Sequence, residues 1–150
     1  MKTIFRIFIS LLVFLNFVAC NHNDEAGPEA LEVTPANLHG SWKLVEWNGS
    51  PLQEGSFLYI TFNRKDKTYI MLDKLSSMYP NRKTGNFEIE KDEKIGYIIN
   101  GDYDFGNGKW NNSYIVTDLL ANGTMVWTVK GDRSDTQKFE RCDKIPSEIE

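Results

Sequence analysis

Few side chains in this sequence are suited to covalent or acid–base chemistry. The 150 residues include two cysteines, Cys20 and Cys142, and two histidines, His22 and His39. Nucleophilic catalysis by serine or cysteine usually needs a base, most often histidine, that a third group holds in place. His22 lies in a polar, irregular segment, and His39 has the character of a loop or capping residue. We therefore expect that the protein is not an enzyme.

The acidic residues near position 103 offer little for metal binding. Asp102 and Asp104, followed by Asn107, have part of the spacing of a calcium loop, but the remaining ligands and the distal glutamate of such loops are missing. Strand alternation places the two aspartates on one face, which is typical of a solvated strand end. The sequence predicts no metal site and no cofactor.

Cys20 stands between an apolar run and a polar, acidic stretch. Lys2 and Arg6 flank the start of the apolar run, residues 7–19, which is too short to span a bilayer and is organised like an export signal. The end of this run together with the cysteine resembles the lipobox of bacterial lipoproteins. Its residues are Phe17-Val18-Ala19-Cys20, with Phe at the position where Leu is usual.

This resemblance implies a lipid anchor at Cys20. In bacterial lipoproteins the cysteine sulfur receives diacylglycerol, the preceding peptide is removed, and the new amino group is acylated, for example with palmitate. Several acyl chains hold a protein firmly because each buried methylene contributes about 0.8 kcal/mol. We expect residues 1–19 to be a lipoprotein signal peptide. The mature protein would then be an outer membrane lipoprotein of the cell envelope, on its periplasmic side or at the cell surface.

The alternative is an ordinary signal peptide followed by an unmodified Cys20. In that case Cys20 and Cys142 could form a disulfide in the oxidising envelope, whereas lipidation of Cys20 leaves Cys142 a free thiol. Cys142 lies in either case at the end of the last predicted strand or just beyond it.

The charge of the chain restricts its partners. Residues 1–19 hold two of the 17 basic side chains and none of the 21 acidic ones, so the remaining chain has 15 basic and 21 acidic side chains and a formal charge of −6. Nucleic acids and anionic lipid headgroups select clusters of Lys and Arg, so we expect neither as a partner. The partners that remain are the membrane through the lipid anchor, a small apolar ligand and another envelope protein.

The elements that position these residues begin after an irregular segment. Residues 20–36 lack hydrophobic periodicity and are interrupted by Gly27-Pro28 and Pro35, so we expect the lipidated cysteine and a flexible tether there. Residues 37–143 form the predicted folded domain, and residues 144–150 form a C-terminal tail.

Beyond Gly40, runs rich in aromatic and β-branched residues alternate with turn clusters, and none shows a sustained helical period. The pattern predicts about eight strands, at 41–47, 57–62, 68–73, 85–90, 95–105, 113–119, 125–130 and 137–142. Asn48-Gly49 and Asn122-Gly123 favour tight hairpin turns because these dipeptides accept positive φ angles. Asn100-Gly101 has the same composition and could divide the fifth strand into a hairpin.

Short sequential hairpins favour a meander, and a meander of about eight strands removes its unpaired edges by closing on itself. The fold class that we expect is therefore all-β, as a single up-and-down antiparallel β-barrel. The longest irregular stretch within it, residues 74–83, could be a lid or a long loop.

Two motifs at the ends of this domain resemble the lipocalins, and more closely the lipocalin-like domain lipoproteins of Gram-negative bacteria. They are Leu38-His39-Gly40-Ser41-Trp42 and Phe139-Glu140-Arg141. In that superfamily a Gly-x-Trp begins the first strand, and its indole packs against an arginine of the final strand. The resemblance implies that Trp42 and Arg141 close one end of the barrel, where a guanidinium can stack on the indole face.

The remaining aromatic residues are candidates for binding. An eight-stranded barrel has an interior wide enough for packed side chains or for one small ligand. We expect noncovalent binding of a small apolar molecule inside it, with candidate lining residues inside the predicted strands: Tyr69, Tyr97, Tyr114 and Trp127.

The alternative is an interaction or structural component that docks onto another envelope protein through the outer barrel face. Trp47, Tyr103 and Trp110 are the aromatics expected on such a face. An open cavity would favour ligand binding, whereas a filled barrel with an exposed apolar patch would favour docking.

Overall fold

The fold is a meander of antiparallel strands, seen in a computed structural model that describes residues 27–146. Its elements are α1 (Pro35–Leu38), β1 (Gly40–Trp47), β2 (Ser50–Pro51), β3 (Phe57–Asn63), β4 (Thr68–Lys74), β5 (Asn81–Asp92), β6 (Gly96–Tyr103), a 3₁₀ turn (Asp104–Gly106), β7 (Tyr114–Leu119), β8 (Thr124–Val129) and β9 (Asp132–Cys142). No helix within the described residues is long and apolar enough to cross a membrane.

The sheet closes because β1 pairs with both β3 and β9. From β3 to β9 each strand pairs with the next along the chain, and β2 adds two residues at the edge of β1. The eight strands β1 and β3 to β9 thus form a closed antiparallel barrel. This confirms the predicted all-β, up-and-down fold.

Several strand boundaries differ from the sequence-based expectation. Asn100 and Gly101 do not form a turn, because both lie within β6. Glycine is needed at 101 for space instead, since a Cβ there would overlap the indole of Trp110. β5 begins at Asn81, so the irregular stretch expected at 74–83 shortens to residues 75–80.

One end of the barrel, which we name the closed end, is covered by residues 29–38. The backbone N–H of Leu31 donates to the carbonyl of Leu119 at 2.7 Å, which ties this segment to the end of β7. Val33 and Leu38 are buried in the main apolar cluster. The segment therefore seals the barrel with apolar side chains.

This packing corrects the expected tether of residues 20–36. Residues 29–36 belong to the folded domain, because apolar side chains at 31 and 33 and the cap of α1 hold them in place. Thr34 caps that helix by accepting a hydrogen bond from the backbone of Asn37 at 3.2 Å. The described residues do not include the expected signal peptide 1–19, Cys20, residues 21–26 or residues 147–150.

The opposite end, which we name the open end, carries the loops 48–56, 75–80, 104–113 and 130–131. On the outer wall, Tyr59 and Leu72 form a small apolar cluster that Ile145 of the C-terminal segment covers. Cys142 ends β9 beside this cluster, and its partial burial raises the pKa of the thiol.

Candidate functional site

The closed end is fastened by Trp42 and Arg141. These residues are direct neighbours in the pairing of β1 with β9, and the guanidinium carbon lies 4.3 Å from the indole centroid. Arg141 also donates hydrogen bonds to the carbonyls of His39 at 2.6 Å and Asn37 at 2.8 Å. The indole N–H of Trp42 donates to the carbonyl of Leu38 at 2.8 Å. The structure thus brings together the two residues that the lipocalin resemblance selected.

His39 takes part in the same closure. It follows the last residue of α1, and its Nδ1 lies 2.9 Å from the carbonyl oxygen of Phe62 on β3. Its ring is therefore engaged with backbone, as expected for a capping residue.

The centre of the barrel is filled with aromatic side chains. Trp127 is 2% exposed and its ring centroid lies 4.8 Å from that of Phe139, 5.1 Å from Tyr114 and 5.9 Å from Trp110. Such separations are those of favourable aromatic pairs. Within residues 27–146, the buried indole nitrogen of Trp127 has no hydrogen-bond acceptor.

Tyr69 belongs to the same packed interior. It is 1% exposed, and its hydroxyl accepts a hydrogen bond from the indole N–H of Trp110 at 2.8 Å and donates to the carbonyl of Asp102 at 3.2 Å. Burial raises the pKa of Tyr69 to about 12, although the Trp110 hydrogen bond opposes that rise. Tyr69 joins β4 to the connection after β6.

The other two predicted lining residues lie at different places. Tyr114 is half-buried beside Trp127, and burial raises the pKa of its phenol. Tyr97 is at the closed end, where its hydroxyl donates to Glu32 at 2.8 Å and the ammonium of Lys91 lies 5.2 Å from its ring centroid. Three of the four residues thus contribute to one aromatic cluster around Trp110, and Tyr97 stands apart from it.

The residues expected on an outer docking face also face inwards. Trp110 is 8% exposed and packs in the core, and Tyr103 pairs with Gly85 on the inner side of the sheet. Trp47 packs against the core and donates its indole N–H to Asp135 at 2.7 Å. The expectation that these three aromatics form an outer surface was wrong. Alternation along a strand does not say which face is inside for Trp47 and Tyr103, and Trp110 lies in the connection between β6 and β7, where no strand period applies.

A cleft of about 430 Å³ lies at the open end, and we name it the mouth cleft. It lies between β5 and the connection from β6 to β7, and its lining residues are Arg82, Lys83, Thr84, Tyr103, Asp104, Phe105, Asn107 and Asn111. The hydroxyl of Thr84 donates to Asp104 at 2.6 Å, and the side-chain amide of Asn107 donates to the carbonyl of Asp104 at 2.9 Å. These bonds fix the shape of the cleft wall.

The cations of the mouth cleft have different surroundings. The ammonium of Lys83 lies 2.7 Å from the buried carboxylate of Asp73, so its charge is matched within the barrel. Arg82 lines the outer side of the cleft, and no carboxylate of residues 27–146 lies within ion-pair distance of its guanidinium. Arg82 is thus the cation of the cleft that remains available to a ligand.

Phe105 is the most unusual residue of the cleft. Its side chain is 96% exposed, and its backbone has a φ of +62°, in the left-handed region that bulky residues avoid. The conformation costs about 1–2 kcal/mol relative to an ordinary backbone angle. Phe105 was not among the binding residues expected from the sequence; the adjacent Gly106, also at positive φ, was the local signal of a sharp turn.

Metal binding finds no support in the described part of the chain. Residues 27–146 contain no group of three or more His, Cys, Asp or Glu side chains that could hold a metal ion.

The open end also exposes Met78 and Tyr79, which are 84% and 76% exposed, on the loop between β4 and β5. The open end therefore offers aromatic and apolar side chains, and the mouth cleft there has one cation, Arg82, without an ion-pair partner in residues 27–146.

The family of the chain follows from comparison with known proteins. Residues 38–127 match the family described as the Lipocalin-like domain, a match that begins at Leu38 before β1 and extends into β8. No curated protein and no solved structure matches the chain. Because the match covers more than half of the 150 residues and agrees with the closed eight-stranded barrel, the chain belongs to the lipocalin-like domain family.

Proposed function

We propose that this protein binds a small, largely apolar molecule noncovalently in the mouth cleft. The proposal rests on one observation: an open cleft of about 430 Å³ is lined by the exposed aromatic ring of Phe105. Binding clefts for small molecules have volumes of about 300–1,000 Å³ and combine apolar surface with a few polar groups. Because aromatic side chains fill the centre of the barrel, the proposed site is the cleft at the open end and not the interior expected from the sequence. The four expected lining residues do not belong to it: Tyr69, Tyr97, Tyr114 and Trp127.

The backbone of Phe105 supports a role beyond folding. A side chain that is 96% exposed gains almost nothing from burial, yet its residue keeps an unfavourable φ. Unfavourable backbone angles that the surroundings maintain are common at ligand sites. Closing this ring over a bound molecule would supply the burial that the free protein lacks.

The polar groups of the cleft favour a ligand with one hydrogen-bond acceptor or anionic group. Arg82 supplies up to five N–H donors without a carboxylate partner in the described chain, and Asn111 adds an amide. An apolar body against Phe105 and Tyr103 and an acceptor toward Arg82 would use both kinds of surface.

An anilinonaphthalene sulfonate dye tests the proposal, because it has an apolar ring system and an anionic group and fluoresces when it leaves water. We expect the purified protein to bind it, and Phe105→Ala to weaken the affinity about tenfold, since burying a phenyl ring contributes about 1.5–3 kcal/mol. Tyr79→Ala is the matched control, because Tyr79 is also an exposed aromatic but does not line the cleft.

The outcome depends on which variant changes the affinity. Equal binding by Phe105→Ala and the unchanged protein would refute the mouth cleft as the site. Loss of binding in Trp127→Phe with full retention in Phe105→Ala would place the ligand in the barrel interior and would also contradict the proposal. Thermal unfolding of each variant shows whether the fold is retained.

We also propose that Cys20 carries the lipid anchor of an outer membrane lipoprotein. The first described residues support an arrangement for this anchor: the backbone N–H of Ala121 donates to the carbonyl of Glu29 at 2.8 Å, at the closed end. An anchor nine residues before this point would attach the membrane to the closed end rather than to the open end. The mouth cleft would then face away from the lipid surface, toward ligands in solution.

A second candidate function is docking onto another envelope protein through the open end. The filled centre of the barrel and the exposed side chains of Met78 and Tyr79 favour it, because large apolar side chains that protrude together often mark contact sites. A photo-crosslinking residue at position 79 should then give one defined adduct in the host envelope, while the same residue at Thr117 on the outer wall should not. A crosslinking pattern that is the same at both positions would exclude this function.

A further inference from the structure

We propose that the outer wall of the barrel carries a second binding site, for a neutral polyhydroxylated molecule such as a hexose or a disaccharide. The site is a pocket of about 290 Å³ at the junction of β6 and β7, and we name it the polar notch. It is lined chiefly by Asn86, Glu88, Asn100, Asp102, Asn112 and Ser113. It is independent of the mouth cleft.

An interruption of the β-ladder creates the notch. β6 and β7 pair only at Ile98 with Ile115 and at Ile99 with Tyr114. Beyond Ile99, β6 pairs instead with residues 108–110, through the Asp102–Lys109 bridge and neighbouring backbone hydrogen bonds. Residues 111–113 leave the sheet between these two pairings, opposite Asn100.

The junction is held by buried structure. The backbone N–H of Trp110 donates to the carbonyl of Gly101 at 2.8 Å, and the indole packs where a Gly101 side chain would project. On the other side, the backbone N–H of Lys130 donates to the carbonyl of Ser113 at 2.8 Å. A notch fixed at both sides is preorganised, which lowers the entropy that a ligand must lose on binding.

The walls point outwards and carry both donors and acceptors. Glu88 lies opposite Asn100, and Asn86 lies opposite Asp102, on the face away from the buried Phe87. Carboxylates accept, amides donate and accept, and hydroxyls do both. Because each sugar hydroxyl is itself a donor and an acceptor, a dense mixture of these groups can pair with several hydroxyls at once.

Other ligand classes fit the polar notch less well. Apolar molecules would leave its carboxylates and amides unpaired, at a cost in free energy for every buried polar group. The three carboxylates at Glu88, Glu90 and Asp102 outnumber the two ammonium groups at Lys109 and Lys130, so the site disfavours anions. These carboxylates do not converge as a metal site within residues 27–146.

Ligand-observed saturation-transfer NMR of the purified protein tests the inference with glucose, galactose, mannose and their disaccharides at millimolar concentrations. At least one neutral sugar should bind, and glucuronate should bind more weakly than the matching neutral hexose. We expect Glu88→Ala and Asn100→Ala each to weaken the affinity about tenfold, because each substitution removes a side chain that would hydrogen-bond to a sugar hydroxyl.

Glu140→Ala is the matched control, because Glu140 is also an exposed carboxylate on the outer wall but lies on β9, away from the notch. It should leave sugar binding unchanged, and so should Phe105→Ala, which tests the mouth cleft separately. The inference is overturned if no neutral sugar binds, or if Glu88→Ala and Asn100→Ala bind as tightly as the unchanged protein. Amide spectra of each variant show that the barrel is intact.

Discussion

The guanidinium of Arg141 makes three interactions at once, stacking on Trp42 and donating to the carbonyls of Asn37 and His39. An arginine suits this position because its planar fork stacks on an aromatic face while its N–H groups reach two acceptors. The interactions connect the last strand to the first strand and to the segment that covers the closed end. A single side chain thus joins residues that are about a hundred positions apart in the chain.

Replacing Arg141 by alanine should lower the free energy of unfolding by about 2 kcal/mol, because a cation–π contact and two charged hydrogen bonds are lost at a partly exposed site. Arg141→Lys should recover less than half of this loss, since an ammonium cannot reproduce the fork. Urea unfolding measures both changes. Arg133→Ala, an exposed arginine on the same strand, is the control and should have little effect.

Tyr69 makes the stability depend on pH in alkaline solution. Burial raises its pKa to about 12 in the folded state from 10.0, so the folded protein favours the neutral phenol. The resulting stabilisation is complete below pH 10 and is lost as the pH rises from about 10 through about 12. We expect Tyr69→Phe to be less sensitive to pH in this window, measured by urea unfolding at successive pH values. An equal loss of stability in both proteins would contradict this assignment.

The junction between β6 and β7 is the element in which the barrel departs most from a regular ladder. Two pairs of residues hold these strands directly, and the segment 108–110 completes the wall beside the end of β6. The indole of Trp110 fills the interior at Gly101 and contacts Tyr69. The interruption of the β6–β7 pairing therefore leaves the core packed, because Trp110 fills it there. On the outside, the same interruption forms the polar notch.

Gly101→Ala should disturb this junction because its methyl group would overlap the buried indole of Trp110. Overpacking of this kind costs about 1–3 kcal/mol, and we expect the upper part of that range. Gly55→Ala is the control, since a Cβ there meets open space and only the positive φ of +80° is strained. Chemical denaturation should give a clearly larger loss of unfolding free energy for Gly101→Ala than for Gly55→Ala. Similar losses would show that the indole of Trp110 can shift to accommodate the methyl group.

At the scale of the whole molecule, the two ends of the barrel differ in structure. Residues 29–38, Trp42 and Arg141 seal the closed end, and the chain that would lead to Cys20 starts there. The open end carries the mouth cleft and the exposed Met78 and Tyr79. An anchored barrel of this polarity would present its cleft to the solvent.

The anchor proposal predicts that Cys20→Ala releases the protein from the membrane fraction of its host. Mass spectrometry of the N-terminal peptide of the unchanged protein should show a cysteine that carries diacylglycerol and an acylated amino group. Cys142→Ala is the control and should remain membrane-associated, because this thiol lies on the barrel wall at the end of β9. Membrane association of Cys20→Ala equal to that of the unchanged protein would exclude the lipid anchor.

The fold class followed from local features of the sequence. A period of two residues marks strands because successive side chains point to opposite faces, and Asn48-Gly49 marks a turn because both residues take positive φ. The order of short hairpins then favours closure into a barrel. The contact of Trp42 with Arg141 was expected from the resemblance of their motifs to lipocalins.

The position of the proposed binding cleft and the residues that line it could be found only from the tertiary structure. Trp110 lies in a connection, where no strand period indicates a face, so it was expected outside; it lies within because its indole packs at Gly101. Packing of residues 29–36 on the closed end depends on the distant residue Leu119. Phe105 became a candidate only through its exposure and its φ, which the surrounding loop imposes. Local sequence determines periodicity and turns, whereas clefts form where residues far apart in the chain meet.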